Sequence, residues 1–130
     1  MLGDTDAIAT IAVKDLQDAR TFYGDMLGLQ QQTGSNNPEA ITYESGNSKI
    51  LVYRSQYAGT NKATVVTWAV GDDLESIVQT LKAKGVAFEH YDLPQLSGQG
   101  DIHVAGDGLS VAWFKDPDGN ILSILGAVKR

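Results

Sequence analysis

Ala112-Trp113-Phe114-Lys115-Asp116-Pro117-Asp118-Gly119-Asn120-Ile121-Leu122-Ser123-Ile124-Leu125 reads as two strands joined by a tight turn. Pro117 presets φ for the second position of a turn, and Asp116 and Asp118 carry short carboxylates that can bond nearby backbone. Gly119 and Asn120 tolerate positive φ. The flanks, Val111 to Phe114 and Ile121 to Leu125, are apolar and rich in β-branched and aromatic residues, which suits strands. Ser123 is the polar residue inside the second flank.

Working outward, the chain carries an internal repeat. Ala7 to Val13 reads as a strand, and Asp15 is placed to cap a helix whose apolar face is Leu16, Ala19, Phe22, Tyr23, Met26 and Leu27. Gly28 fits the position just past that helix. Leu29 to Thr33, Ala40 to Glu44 and Lys49 to Arg54 read as strands, with turns at Gly34 to Pro38 and Ser45 to Asn47. The order then restarts. Ala63 to Val70 is a strand, Asp72 or Asp73 caps a helix with Leu74, Ile77, Val78 and Leu81 on one face, and Gly85 closes it. Val86 to Glu89 and the quoted hairpin complete the second half. Val13 and Val70 stand 57 positions apart, as do Gly28 and Gly85, and Gly71 reads as a one-residue insertion. The expected fold is α+β: two βαβββ modules in tandem, about 7–55 and 62–127, forming an open β-cup in a single domain spanning 1–130. One segment has no counterpart in the first half. Tyr91 to Gly108, with five Pro or Gly residues, is long enough to be a lid, or to hide a short strand at Ile102-His103-Val104.

Composition sets limits. A chain of 130 residues can bury about two thirds of its unfolded surface. It has no cysteine, so disulfides, thiolate nucleophiles and Cys-based zinc sites are excluded. The formal net charge of −6 disfavours nucleic acid as a partner and mildly favours a cationic small molecule. No apolar run is long enough for a membrane helix, and the first six residues lack a basic leader pattern, so the expected location is cytoplasmic. No glycine-rich loop opens a helix after a strand, which leaves no phosphate-binding motif.

Three stretches carry a resemblance: Val13-Lys14-Asp15-Leu16 with Phe22-Tyr23 and Leu27-Gly28-Leu29; Val70 to Leu74; and Phe114-Lys115-Asp116-Pro117-Asp118-Gly119-Asn120. On these the chain resembles the vicinal oxygen chelate superfamily, which includes glyoxalase I, extradiol dioxygenases, fosfomycin resistance enzymes and bleomycin resistance proteins. The resemblance implies the two-module cup. In metal-using members it implies His or Gln on each module's first strand and Glu on each last strand, holding a divalent ion with open positions. Carried over residue by residue, those positions fall on Ile8, on Val65 or Val66, on Ser123, and within Leu51 to Tyr53. None offers imidazole or carboxylate, so the resemblance implies a cup without the usual metal and with no cofactor. Metal-free members of the family tend to be ligand binders.

The expected function is therefore binding of an aromatic or amphipathic metabolite or antibiotic in the cup. The expected contacts are Thr10, Tyr53, Thr67, Trp113 and Ser123, with His103 closing from the long segment. By strand alternation Thr10 and Ala12 share the face of Ile8, Thr67 that of Val65, and Ile121 and Leu125 that of Ser123. Trp68 should face the helices, while the facing of Tyr43, Tyr53 and Trp113 is open. The alternative is a lyase, isomerase or dioxygenase of the same fold that uses His90 or His103 as acid, base or atypical metal ligand, with Glu89, Asp92 and Asp101 near in sequence. A third reading is an interaction protein with a filled cup. A homodimer, common in the family, is the expected assembly.

Overall fold

The computed structural model describes residues 1–33, 37–91, 96–97, 100–105 and 108–127. Their contacts group into two compact units, residues 1–65 with 116–120, and residues 66–115 with 121–130. After a short 3₁₀ turn, Leu2–Asp4, the first unit runs β1 (Ala9–Val13), α1 (Leu16–Ala19), a π-helical continuation (Arg20–Met26), β2 (Gln30–Gln31), β3 (Ala40–Ser45) and β4 (Ser48–Arg54). Its sheet has the order β1-β4-β3-β2, with β1 parallel to β4 and the other pairs antiparallel.

The second unit runs β5 (Thr64–Gly71, begun at the boundary), α2 (Leu74–Ala83), β6 (Phe88–Glu89), β7 (Leu96–Ser97), β8 (His103–Ala105), β9 (Leu109–Lys115) and β10 (Ile121–Ala127). Its sheet order is β5-β10-β9-β8-β7, and β6 also pairs with β9. Removing β7 and β8 leaves β5-β10-β9-β6, the order of the first sheet. The repeat read from the sequence is thus a repeat of topology. The inserted β7–β8 hairpin lies in the segment 91–108, and the short strand anticipated around Ile102 to Val104 is β8. Of that segment's punctuating residues, Pro94, Gly98 and Gly106 lie outside the described residues, as do 34–36 of the first turn.

Alternation decides which face of each strand is buried. In the first unit Ile11, Val13, Ile41, Tyr43, Ile50 and Val52 are buried and pack with Ala19, Phe22 and Tyr23 of the helix. Asp15 caps that helix, its Oδ1 accepting from the backbone N–H of Gln17 (2.7 Å) and Asp18 (3.3 Å). The helix departs from simple periodicity after Ala19, where the bonding widens to i→i+5 and Leu27 N–H donates to Phe22 O (2.9 Å). One apolar face satisfies either helix type, so the sequence pattern did not separate them. In the second unit Leu74, Val78 and Leu81 of α2, with Phe88, Ala112, Phe114, Leu122 and Ile124, form the core. Neither expected aspartate caps α2 through its side chain. Asp73 occupies the cap position, but its backbone carbonyl is what accepts, from Ser76 Oγ (3.0 Å).

The Asp116-Pro117-Asp118-Gly119-Asn120 turn is held by one carboxylate. Asp116 Oδ1 accepts from the N–H of Asp118 and of Asn120, each at 2.9 Å. Its Oδ2 accepts from Asn120 Nδ2 (2.7 Å) and from the Tyr23 hydroxyl (2.6 Å). Asn120 Nδ2 also donates to Ala12 O (2.8 Å), and Asp118 Oδ2 accepts from Lys14 N–H (3.1 Å). Only Gly119 takes positive φ in the turn, and Asn120 does not. Asp116 is buried, and four donors from three residues offset its desolvation.

Candidate functional site

The register of the second sheet lines up one row of side chains. Ser123 stands opposite Trp113 across β10–β9, and Glu89 stands opposite Trp113 on its other side across β6–β9. His103 stands opposite Val111, two residues from Trp113 and so on the same face. Thr67 of β5 joins the row through its hydroxyl, 2.7 Å from Ser123 Oγ. Four expected contacts, Thr67, Ser123, Trp113 and His103, therefore share one sheet face. Sequence reasoning had His103 closing from the long segment, read either as a lid or as hiding a short strand at Ile102-His103-Val104. The strand is what forms: His103 lies in β8, held in the sheet by pairing with β9.

Trp113 is half-buried between two other rings. His103 lies 4.9 Å away, centroid to centroid, at 67°, and Tyr91 lies 5.0 Å away at 75°. His103 is only 8% exposed, and its Nε2 accepts from Tyr91 N–H (3.1 Å). An acceptor nitrogen carries no hydrogen, so in the neutral ring the proton sits on Nδ1. That Nδ1 and the Tyr91 hydroxyl are both buried with no hydrogen-bond partner among the described residues. Glu89 and Lys115 form an ion pair at 3.4 Å on the same face. Tyr91 was not singled out from the sequence, although its parity with Glu89, two residues before it, was a readable signal. The β6–β9 pairing that brings it to Trp113 was not readable.

The other two expected contacts belong to the first unit. Thr10 stands opposite Leu51 and Ala12 opposite Tyr53, which puts Thr10 and Tyr53 on one face of that sheet. Both are exposed, and Thr10 Oγ1 donates to Ile8 O (3.2 Å). Tyr43 falls on the opposite, buried face against Tyr23 (6.2 Å), so it is core. Burial raises the Tyr43 phenol above its usual range, with Arg20 opposing and Asp25 reinforcing the shift. Trp68 lies behind Thr67, stacked on Phe114 (6.5 Å, 15°), as the alternation predicts. Two shallow depressions on the first unit, of about 450 and 340 Å³, are bordered by Lys14, Glu39 and Arg54. Their walls are charged, and Arg54 is committed to Glu39 at 2.7 and 3.0 Å, so they suit a planar apolar ligand poorly.

His90 has a different setting. Its Nε2 lies 2.8 Å from Asp101 Oδ1, while Asp101 Oδ2 accepts from Lys82 Nζ (2.7 Å). The Lys82 hydrogen bond is the main cause of an Asp101 carboxyl held below its usual range; burial opposes it, and the His90 hydrogen bond adds to the lowering. The His90 and His103 rings are 6.3 Å apart. Asp92 lies outside the described residues.

A divalent ion does not fit the family's ligand positions. Ile8 is an exposed alkyl chain ahead of β1, Val65 and Val66 are alkyl, and Ser123 Oγ is already engaged with Thr67. Neutral hydroxyls are weak ligands for such ions. Among the described residues no group of three His, Asp or Glu side chains is placed to hold a metal.

Two βαβββ modules with matched sheet orders, each with a polar-and-aromatic sheet face opposite its helix, define a protein of the glyoxalase fold class. The family model for the Glyoxalase/Bleomycin resistance protein/Dioxygenase superfamily matches residues 6–124, and the chain belongs to that superfamily. The chain is similar in fold to the lactoylglutathione lyase of Agrobacterium tumefaciens (16% identity, 94% of this chain and 93% of that one, TM-score 0.71). It is also similar to TnmS3, an antibiotic-binding protein from a Streptomyces species (16%, 94% and 96%, TM-score 0.62). A third relative is the fosfomycin resistance protein FosX of Listeria monocytogenes (12%, 96% and 92%, TM-score 0.63). No described helix is long and apolar enough to cross a membrane.

Proposed function

We propose that this chain binds a small aromatic or amphipathic molecule, a metabolite or antibiotic, without a metal, as a single two-module domain. The observation that carries this is the row Thr67, Ser123, Trp113 and His103. It offers a half-buried indole beside hydroxyls and an imidazole, on the face of Ser123, one of the positions to which the family resemblance assigns a metal ligand. Relatives of the same fold described as antibiotic-binding or as fosfomycin resistance proteins support the ligand class by analogy. Thr10 and Tyr53 of the first module are proposed as further contacts, in a cytoplasmic homodimer. The test is a thermal-melt screen of the purified protein against aromatic metabolites and antibiotics, with divalent ions alongside. Ligand-specific rises that are lost in Trp113→Ala support the reading. A stoichiometric metal, or a large metal-specific rise, overturns it.

A second reading, an enzyme of the same fold, is favoured by the His90–Asp101 pair at 2.8 Å. Asp101 orients one ring nitrogen of His90 and leaves the other to face a substrate, the arrangement a general base needs. A bell-shaped pH–rate profile that disappears in His90→Ala would establish it, and turnover that survives His90→Ala would exclude it.

A further inference from the structure

Two buried polar atoms, on rings that stand against one indole, have no hydrogen-bond partner among the described residues, and the proposed function does not yet use them. His103 Nδ1 and the Tyr91 hydroxyl belong to the two rings that stand steeply against Trp113. Their neighbours are otherwise well matched: His103 Nε2 takes the Tyr91 N–H, and Glu89 takes Lys115. A buried donor left unmade is costly, and in folded proteins such groups are few. Burying two beside the same half-exposed aromatic is a poor arrangement for stability and a good one for recognition.

We infer that Tyr91 and His103 are the polar half of the recognition site on Trp113, and that its ligand is an uncharged aromatic molecule bearing a carbonyl oxygen. This inference rests on the ligand-binding reading above. The chemistry follows from the donors. With Nε2 accepting, His103 Nδ1–H can only donate, and the Tyr91 hydroxyl can donate as well. Their complement is an acceptor, and a carbonyl oxygen has two lone pairs to offer. An ionised ligand is disfavoured because the charges on this face, Glu89 and Lys115, already neutralise each other. The aromatic portion of the ligand lies against the half-buried Trp113.

The test uses two probes of one shape, 2-acetylnaphthalene and 2-ethylnaphthalene, which differ by the carbonyl alone. Their Kd values are measured by calorimetry on the wild type, Tyr91→Phe and His103→Phe, with melting temperatures of the ligand-free proteins. The expected result is about thirtyfold tighter binding of the ketone by the wild type, the worth of two net hydrogen bonds. In each variant that preference falls about fivefold, one donor being left in place, while 2-ethylnaphthalene binds as before. Ligand-free Tyr91→Phe melts at or above the wild-type temperature, since it loses an oxygen with no partner among the described residues. That arm stands even if His103→Phe, which leaves Tyr91 N–H without its acceptor, folds poorly. Equal affinity of the wild type for both probes overturns the inference and leaves the binding reading intact. A Tyr91→Phe melting temperature lowered by several degrees also overturns it, because the hydroxyl would then have a structural partner. Failure of both probes to bind overturns the inference together with the reading it rests on.

Discussion

Thr67 Oγ1 and Ser123 Oγ lie 2.7 Å apart, 56 residues apart in the chain, at the head of the row that ends on Trp113. Ser123 falls where the family resemblance implies a carboxylate in metal-using members, and here its hydroxyl is engaged with Thr67. Either oxygen can donate, so the pair keeps a free donor or acceptor without carrying a charge. A bulky side chain at Thr67, which is exposed, fills the face without touching the core behind it, whereas Ser123 is buried. Thr67→Trp is expected to lower the melting temperature by a few degrees, since the buried Ser123 hydroxyl loses its partner, and to weaken 2-acetylnaphthalene binding at least tenfold. Unchanged affinity, read by calorimetry, would remove this face from consideration.

The Tyr23–Asp116 bond makes a prediction at the alkaline end. Burial, followed by the Asp116 charge and hydrogen bond, pushes the Tyr23 phenol far above its usual range. A group whose folded-state pKa is raised contributes stability in full below its unfolded value, near 10, and loses it as pH rises beyond that point. Urea melts should therefore show stability falling above about pH 10, with a shallower fall in Tyr23→Phe. At neutral pH Tyr23→Phe should cost about 1–3 kcal/mol, since a buried carboxylate loses one of its donors. An unchanged alkaline slope in the variant would count against the assignment.

At the acid end the relevant group is Asp101. Its carboxyl is held below the usual range, chiefly by Lys82, so its contribution is present above the ordinary aspartate value of 3.8 and is lost as pH falls through and below it. Asp101→Asn should flatten the loss of stability below about pH 4. The measurement is the denaturation midpoint against pH, and identical acid limbs in the two proteins would contradict it.

Gly59 has φ +76°, and a Cβ built there would collide with the backbone carbonyl oxygen of Asp118. That oxygen is backbone and cannot swing away. Gly59→Ala is expected to destabilise by about 2 kcal/mol or more, from left-handed strain and the clash together. A control at Gly46, also at positive φ but with open space around its Cβ position, should cost less. Equal costs at the two sites, measured by urea denaturation, would show that the close approach to Asp118 adds nothing.

What the sequence determined by itself is what short-range chemistry encodes. Alternation marked the strands, apolar spacing the two helices, and Asp15 the first cap, because each depends on residues within a turn or two of one another. The 57-residue repeat fixed the module order, and the absence of imidazole and carboxylate at the ligand positions followed from residue identity alone. The tertiary structure decided the rest through partners distant in the chain. Asp116 reaches Tyr23 across 93 positions, and Asn120 reaches Ala12 across 108. Strand pairing decided between lid and strand for His103 by placing it in β8, sent Tyr43 to the core, and set Tyr91 and Glu89 around Trp113. A one-residue change of register reverses every side chain in a strand, so which face a residue occupies is settled by pairing and packing and only weakly by its own neighbours in sequence.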